Sequence, residues 1–489
     1  MTITLVDLIP LLPLLIATLT VVLAMIAVGI KRDHTIVAGI TLVGLLVAAI
    51  FSFLLMPSAN FQVTPLIVID EYSLFFTTIT CVTAMLITVL SYYYLSDLDD
   101  YKEEYFLLLG LATIGAIVMV SSNHYVSAIL GIETLSMSLY GMVAYPAHSD
   151  KSIKYSLEAA VKYLILSAAA SGFMLFGIAL LYAQTGTLAF ASVLGNGEIP
   201  GLGENFTVTA LTLLFIGIAF KLSLAPFHMW TPDVYQGSPL PATTYLATIG
   251  KVVMFVVLLR VIESTNALAY ESMIFVISLT AVLSILLGNL LALLQNNLKR
   301  ILAYSSIAHM GYLLIALLAS FKTNGSISVE AITFYLVAYA IMSLGAFGVA
   351  SVVSSSSNEF DTVDDYAGLF WSNPVLAAIF TGMLLSLAGI PLTVGFIGKF
   401  YIFFAGVESE FWILLATLII GSGIGLYYYL RIIYKMVLPR EERNGFELSI
   451  KEHFASNAIL AFLFILLIFL GVYPTPLISI IEDISIYIL

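Results

Sequence analysis

Four ionisable side chains lie within long apolar stretches of this sequence. Glu133 lies in SAILGIETLSMSL, Lys221 in GIAFKLSLAP, Lys251 in LATIGKVVMF and Lys399 in GFIGKFYIFF. A charged side chain is costly in hydrocarbon, so such groups usually face a polar cavity and often serve a function. Burial favours the neutral form of a lysine, whereas a nearby carboxylate favours its charged form. A carboxylate that moves relative to these lysines could therefore make them take up and release protons.

Three further residues are weaker candidates for the same chemistry. Lys162 follows Glu158 by four residues, a spacing that also makes an ordinary ion pair on a helix surface. His228 and His309 lie beside or within apolar stretches, and imidazole titrates near neutrality. A lone histidine is, however, more often a hydrogen-bonded packing residue. For the whole set, static pairs that fix helix packing are the alternative.

Membrane helices must position these residues. Hydrophobic residues make up 61% of the 489 positions and charged residues only 10%, whereas soluble proteins contain about 25% charged residues. Because roughly 20 apolar residues cross a bilayer, we predict fourteen spans and little soluble material. They lie at about 8–30, 35–56, 72–95, 105–122, 124–145, 158–184, 207–227, 240–262, 268–296, 298–320, 328–355, 373–404, 410–434 and 455–481. The wider gaps at 57–71 and 185–206 are predicted to be loops.

The predicted fold is an all-α polytopic bundle that forms a single membrane domain over 1–489. Span 7 contains Pro226 and span 12 contains Pro391, and proline breaks the hydrogen-bond pattern of a helix. Two broken helices five spans apart suggest two inverted five-helix repeats, a pattern that marks the ion site in transporters. The match is imperfect, since Lys221 precedes its proline by five residues and Lys399 follows its own by eight. The predicted segments are 1–104 (spans 1–3), 105–262 (spans 4–8), 268–434 (spans 9–13) and 455–481 (span 14).

The basic residues predict the orientation, because cytoplasmic loops of membrane proteins are rich in Lys and Arg. With both termini outside, the outer connections carry only Arg260 and Lys322. The inner connections carry Lys31, Arg32, Lys102, Lys151, Lys154, Lys299, Arg300, Arg431, Lys435, Arg440, Arg443 and Lys451. Aromatic residues anchor helices at membrane interfaces, and we interpret Tyr427 to Tyr429, near a span end, in this way.

Cofactor sites are not expected in this chain. Cys81 is the only cysteine, and an iron–sulfur cluster needs about four thiolates. The six histidines are scattered, so neither a haem-ligating pair nor a metal site is predicted. The glycines between 195 and 203 do not match a dinucleotide-binding fingerprint. The formal charge of -12 does not suggest nucleic acid as a partner.

One motif resembles a known family. Residues 221–241, KLSLAPFHMWTPDVYQGSPLP, resemble the signature of the antiporter-like, proton-translocating subunits shared by respiratory complex I and multi-subunit cation/proton antiporters. The form WTPDVYQGSP is similar to the N subunits of bacterial NADH:quinone oxidoreductase, counterparts of mitochondrial subunit 2. SLEAAVKYLILSAAASGFMLFGIALLYAQTG, LKRILAYSSIAHMGYLLIAL and SLAGIPLTVGFIGKFYIF also resemble this subfamily, so the similarity extends over essentially the whole chain. Leu240 departs from it, because many members carry a small or polar residue there.

The resemblance implies a role for each candidate residue. Glu133 matches the glutamate of the fifth helix, and Lys221 matches the lysine of the first broken helix. The resemblance implies that these two residues form a modulated ion pair. Lys251 matches the central connecting lysine, and Lys399 matches the lysine of the second broken helix, on the outward path. The remaining candidates, Lys162, His228 and His309, resemble further polar residues along an axis in the membrane plane.

The function implied is that of a membrane-arm subunit that translocates protons, driven by redox energy from other subunits. NADH, FMN, iron–sulfur clusters and quinone are then expected in those other subunits. The expected partners are hydrophobic membrane-arm subunits and lipid. The expected location is the bacterial inner membrane, with both termini on the periplasmic side. A subunit of a cation/proton antiporter without a redox link, and a structural membrane subunit that moves no ion, are the alternatives.

Overall fold

The computed structural model describes residues 6–58, 60–98, 101–145, 150–190, 203–321, 326–356, 359–439 and 454–487. Twelve helices in this part of the chain are long and apolar enough to cross a membrane. Two shorter apolar helices, Glu104–Val120 and Pro374–Ala388, lie at the positions of predicted spans 4 and 12. The structure therefore confirms the predicted all-α bundle of about fourteen spans.

The helices follow the predicted order along the chain. The N-terminal spans are α1 (Leu12–Ile30), α2 (His34–Leu55) and α3 (Glu71–Tyr94). Spans 4–8 are α4 (Glu104–Val120), α5 (Tyr125–Val143), α6 (Asp150–Thr185), α7 (Glu204–Leu222) with α8 (Trp230–Gly237), and α9 (Leu240–Ala247) with α10 (Ile249–Thr265). Spans 9–13 are α11 (Glu271–Leu293), α12 (Leu298–Ser320), α13 (Ser326–Val353), α15 (Pro374–Ala388) with α16 (Val394–Glu408), and α17 (Trp412–Val437). The short α14 (Leu369–Ser372) precedes α15, and α18 (Phe454–Val472) and α19 (Thr475–Ser485) follow.

The centre of the bundle is formed by α12, α13 and the α9–α10 pair. These helices are mainly apolar and are buried along almost their whole length, as expected of helices that lack a continuous polar face. Around them, α13 packs against α3, α9, α15, α16 and α18. By contrast, α1, α2 and α18 bury fewer than half of their residues, which suits helices that face lipid or a neighbouring subunit.

The first predicted break is confirmed near Pro226. Helix α7 ends at Leu222, and Ser223 takes the left-handed conformation with φ 61°. The backbone N–H of Ala225 donates to Ser284 Oγ of α11 at 2.8 Å. The chain resumes as a helix at Trp230. The neighbouring helix therefore satisfies a backbone group that the break sets free, which is the condition for irregular backbone within a membrane.

The second predicted break is confirmed near Pro391. Helix α15 ends at Ala388, and Gly389 follows with φ 88°, a value that favours glycine. Helix α16 begins at Val394, and the N–H of Gly395 donates to Ser386 Oγ of α15 at 3.1 Å. The two half-helices are therefore joined directly across the break.

Three predicted elements differ from the structure. Span 8 is not one helix, because it is interrupted at Thr248, where φ is -103° and ψ is -85°. Span 14 ends at Val472, and α19 starts separately after Pro474; proline favours the first turn of a new helix over continuation of the previous one. The loop predicted at 57–71 contains an antiparallel hairpin of β1 (Asn60–Thr64) and β2 (Ile67–Asp70).

Candidate functional site

Lys221 lies at the C-terminal end of α7, immediately before the first break. Its side chain is buried at 9% exposure, and Nζ donates to Ser136 Oγ of α5 at 2.8 Å and to Ser167 Oγ of α6 at 2.5 Å. Ser167 Oγ also accepts from the hydroxyl of Tyr140 at 2.7 Å. Two helices, α5 and α6, thus bring hydroxyl groups to the ammonium of a third in the interior of the bundle.

Glu133 lies near this cluster but does not pair with Lys221. Its Oε1 accepts from Ser171 Oγ of α6 at 2.6 Å, and among the described residues it has no ion pair within 4.0 Å. Ser167 and Ser171 are one helical turn apart, so the carboxylate and the ammonium bind successive serines of α6. The expected direct pair is therefore replaced by hydroxyl contacts in this structure.

A small cavity adjoins Lys221. Its volume is about 20 Å³, and a cavity of roughly 10–15 Å³ by this measure holds one water molecule. Its polar lining is provided by Lys221, Ser136, Tyr163 and Trp230. The apolar lining is Met119, Ile132, Leu135, Leu139, Leu246, Gly250 and Met254. The site can therefore accommodate water in contact with the ammonium.

Lys251 of α10 contacts the end of α7 at the same break. It is 1% exposed, and its Nζ donates to the carbonyl oxygen of Lys221 at 3.1 Å and to Ser223 Oγ. The ammonium also lies 5.1 Å from the centroid of the Trp230 ring, a favourable cation–π distance. The side chain therefore caps the end of α7, where the helix dipole favours a cation.

Lys399 has the corresponding place at the second break. Its Nζ donates to the carbonyl oxygens of Leu387 and Ala388, at 3.0 and 2.8 Å. These are the last carbonyls of α15, so a side chain of α16 caps the preceding half-helix. The ammonium lies 5.2 Å from the centroid of the Tyr312 ring. At both breaks, then, a buried lysine from a later helix holds the end of an earlier one.

His309 lies at the centre of the second repeat, on α12. It is 2% exposed, with Nδ1 2.5 Å from the hydroxyl of Tyr335 and Nε2 3.4 Å from the hydroxyl of Tyr429. The Tyr429 hydroxyl is also hydrogen-bonded to Ser305 Oγ. Tyr429 is buried, so the interpretation of the 427–429 run as an interface anchor is wrong for this residue; Tyr428 is buried as well, whereas Tyr427 is exposed.

Lys162 and His228 are not hydrogen-bonded to these clusters. Lys162 is partly exposed and pairs with Glu158 at 2.8 Å and with Asp233 of α8 at 3.1 Å. The helix-surface pair expected from the sequence is therefore present, with a second carboxylate added. His228 is buried within the first break, and neither ring nitrogen has a hydrogen-bond partner of normal geometry in the described chain.

The hydroxyl groups around the lysines were missed by the sequence reasoning. Ser136 follows Glu133 by three residues, and Ser167 precedes Ser171 by four, so each pair shares a helix face. That spacing was a usable signal, since a serine in an apolar helix often bonds across helices. No comparable signal marks Tyr335 or Tyr429, because tyrosine is common at membrane interfaces.

Comparison with known proteins identifies the family. Residues 122–425 match the family described as NADH:quinone oxidoreductase/Mrp antiporter, TM. The chain belongs to this family. All seven candidate residues lie within the matched range. The antiporter-like family predicted from the 221–241 motif is therefore confirmed.

Solved structures of three membrane complexes contain chains that share the whole fold. A chain of respiratory complex I from Thermus thermophilus is 31% identical, with a TM-score of 0.82 over 96% of this chain and 98% of that one. The archaeal membrane-bound sulfane sulfur reductase gives 23% identity and a TM-score of 0.81, over 98% and 97% of the two chains. The Mrp complex from a Dietzia species gives 18% identity and a TM-score of 0.85, over 99% of this chain and 98% of that one. At such low identity the last two show the fold alone.

Proposed function

We propose that this chain is the proton-translocating N subunit in the membrane arm of a bacterial NADH:quinone oxidoreductase. Redox energy released in other subunits reaches it as a coupling free energy between distant sites. The observation that carries the proposal is the environment of Lys221. A buried ammonium adjoins a water-sized cavity at a helix break and is held by two serine hydroxyls.

Hydroxyl ligands suit a lysine that changes its protonation state. A serine hydroxyl can either accept or donate a hydrogen bond, so Ser136 and Ser167 can serve both the ammonium and the neutral amine. A salt bridge would instead hold the lysine charged. Movement of Glu133 toward Lys221 along the serine face of α6 would favour the charged lysine, and movement away would favour release.

The remaining candidates extend the route across the bundle. Lys251 lies at the other side of the first break, and His309 and Lys399 lie in the second repeat. We propose that protons pass along this series and leave at Lys399. Lys162 and His228 have supporting roles in this proposal. Two carboxylates hold the ammonium of Lys162, and His228 lies within the first break.

The form of the 230–239 run favours an N subunit over an antiporter subunit. WTPDVYQGSP is similar to the N subunits, whereas antiporters usually carry a different, more acidic run there. An antiporter subunit would support sodium efflux without NADH oxidation, and a structural subunit would support neither process. NADH, FMN, iron–sulfur clusters and quinone belong, in this proposal, to other subunits that accompany the chain in the inner membrane.

Lys221 provides the decisive test in inner-membrane vesicles, with NADH-driven proton pumping normalised to assembled complex. Lys221→Ala removes a titratable group and should abolish pumping. Lys221→Arg should fail as well, because guanidinium keeps its charge and cannot release a proton at accessible pH. Sodium efflux is followed in the same vesicles.

The alternatives predict different results. Full pumping by Lys221→Arg, with Lys221→Ala lost only through failed assembly, would show that Lys221 has a structural role. Sodium efflux that is lost in Lys221→Ala, while NADH-driven pumping is unchanged, would show an antiporter subunit.

A further inference from the structure

Four buried side chains around His309 form one continuous hydrogen-bonded series. Tyr335 OH contacts His309 Nδ1 at 2.5 Å, His309 Nε2 lies 3.4 Å from Tyr429 OH, and Tyr429 OH is bonded to Ser305 Oγ. Each member is at most 2% exposed. The members come from three helices, α12, α13 and α17, so packing alone does not require their polar atoms to meet.

Every member can accept one proton while releasing another. Tyrosine and serine hydroxyls are both donors and acceptors. Imidazole can receive a proton on one ring nitrogen and release one from the other. A proton that enters at one end can therefore displace a proton at the other, and the chemistry needs no oxidant or reductant. The 3.4 Å contact between His309 and Tyr429 is the longest and must shorten for transfer.

The series has a direction. Ser305 precedes His309 by four residues of α12, so it lies about 6 Å nearer the end at which that helix begins. Arg300 and Arg431 lie toward this same end of the bundle, beside the end of α11. Tyr335 lies on the opposite side of His309, against α16. A Cβ atom on Gly398, the neighbour of Lys399, would be 2.6 Å from Cδ2 of Tyr335.

A second buried hydrogen-bonded series nearby cannot exchange protons in this way. Tyr428 OH donates to Asn289 Oδ1 at 3.2 Å, and Asn289 Nδ2 donates to Tyr312 OH at 3.0 Å. The asparagine amide has fixed donors and acceptors, so it can hold the tyrosines in place but cannot readily pass a proton on. Tyr428 and Tyr429 are adjacent and equally buried, and Tyr428 lies close to Ser305 and Tyr429, but only Tyr429 contacts His309.

We propose that Ser305, Tyr429, His309 and Tyr335 conduct protons between the basic end of the second repeat and Lys399. This route rests on the proposed function: it meets the lysine series at Lys399, and Lys221 is still required to drive pumping. It assigns proton-carrying roles to two tyrosines and a serine that lie outside the lysine series.

The test compares Tyr429→Phe with Tyr428→Phe, each of which removes one hydroxyl and keeps the ring. Protons pumped per NADH oxidised are measured in vesicles, with assembled complex quantified. Tyr429→Phe should lower this ratio, because loss of a proton-transfer group slows transfer by roughly 10²–10⁴-fold. Tyr428→Phe should match the wild type. Tyr429→Phe combined with Ser305→Ala should be no worse than Tyr429→Phe alone, since one broken step already interrupts the series.

A wild-type ratio in Tyr429→Phe would overturn the proposal, as would equal losses in the two phenylalanine variants, which would indicate a packing effect. Lys221→Ala measured alongside separates the two hypotheses. If it fails to pump while Tyr429→Phe pumps fully, the hydroxyl route is wrong and the proposed function stands. If Lys221→Ala and Lys221→Arg both pump fully, the proposed function fails and the route fails with it.

Discussion

At the scale of single residues, the ligands of the buried ammonium groups are the main finding. Lys221, Lys251 and Lys399 all bind hydroxyl or carbonyl oxygens, and none forms an ion pair among the described residues. Neutral oxygens stabilise an ammonium without holding it charged as firmly as a carboxylate would. The buried lysines of this chain are thus placed to exchange protons when their surroundings change.

Ser136 and Ser138 offer a matched test of this idea. Ser136→Ala removes one of the two hydroxyls that bind Lys221, and a hydrogen bond to a charged group contributes about 1.5–3 kcal/mol. We expect NADH-driven pumping to fall severalfold at a normal level of assembled complex. Ser138 is also buried on α5 but donates to the carbonyl of Thr134 in its own helix. Ser138→Ala should therefore pump normally, and equal losses in both variants would argue against a specific role for the ligand.

At the scale of secondary-structure elements, the two breaks share one arrangement. In each, a half-helix ends inside the bundle and a lysine ammonium from a later helix donates to its last carbonyls. A cation at a helix C-terminus is stabilised by the helix dipole, so loss of its proton weakens the contact that holds the break. The charge on Lys251 or Lys399 is therefore coupled to the position of a helix end.

Gly395 tests how closely the second break must pack. A Cβ atom there would lie 2.0 Å from the carbonyl oxygen of Ser386 and 2.7 Å from Sδ of Met342, so Gly395→Ala must push α16 away from α15. Overpacking of this kind costs about 1–3 kcal/mol, although alanine usually stabilises a helix relative to glycine. We expect a lower melting temperature of the purified complex and reduced pumping. Gly423→Ala on α17 is the control, because a Cβ there meets nothing within 4 Å, and it should not destabilise the complex. A stable, active Gly395→Ala variant would contradict the prediction.

At the scale of the whole molecule, one carboxylate connects three parts of the chain. Glu359, between α13 and α14, accepts from Lys299 Nζ of α12 at 2.6 Å and from the N–H of Leu240, which begins α9, at 3.1 Å. It also accepts from the hydroxyl of Tyr94 at the end of α3. The Lys299 side chain is only 3% exposed. The N-terminal spans and both predicted repeats therefore meet at this residue.

Glu359→Ala should accordingly destabilise the subunit. Removing one partner of a buried pair costs up to about 3–5 kcal/mol, and Lys299 would keep only its longer contact to Asp361 at 3.6 Å. We expect a clear loss of thermal stability in detergent. Asp364→Ala is the control, since its pair with Lys435 is largely exposed and such pairs contribute about 0–1 kcal/mol. Equal melting temperatures for the two variants would show that Glu359 does not brace the bundle.

The orientation is a prediction for the molecule as a whole. Positions 322 and 451 lie outside the described residues, and the distribution of basic residues predicts them on opposite sides of the membrane. In intact spheroplasts, a membrane-impermeant thiol reagent should label Lys322→Cys and spare Lys451→Cys, each in a Cys81→Ala background. The reverse pattern would place both termini in the cytoplasm.

The sequence alone determined the membrane class, the spans and the two proline-associated breaks. Apolar length and proline geometry are local properties that can be read along the chain. Only the tertiary structure decided which groups meet. Ser136 and Ser167 lie 85 and 54 positions from Lys221, and their contact depends on how α5, α6 and α7 are rotated. The apolar residues of these helices follow no period that reveals the rotation, and the spacing of the serines marks a shared face but not the helix that it meets. The burial of Tyr429, the separation of Glu133 from Lys221 and the interruption at Thr248 were therefore settled by packing.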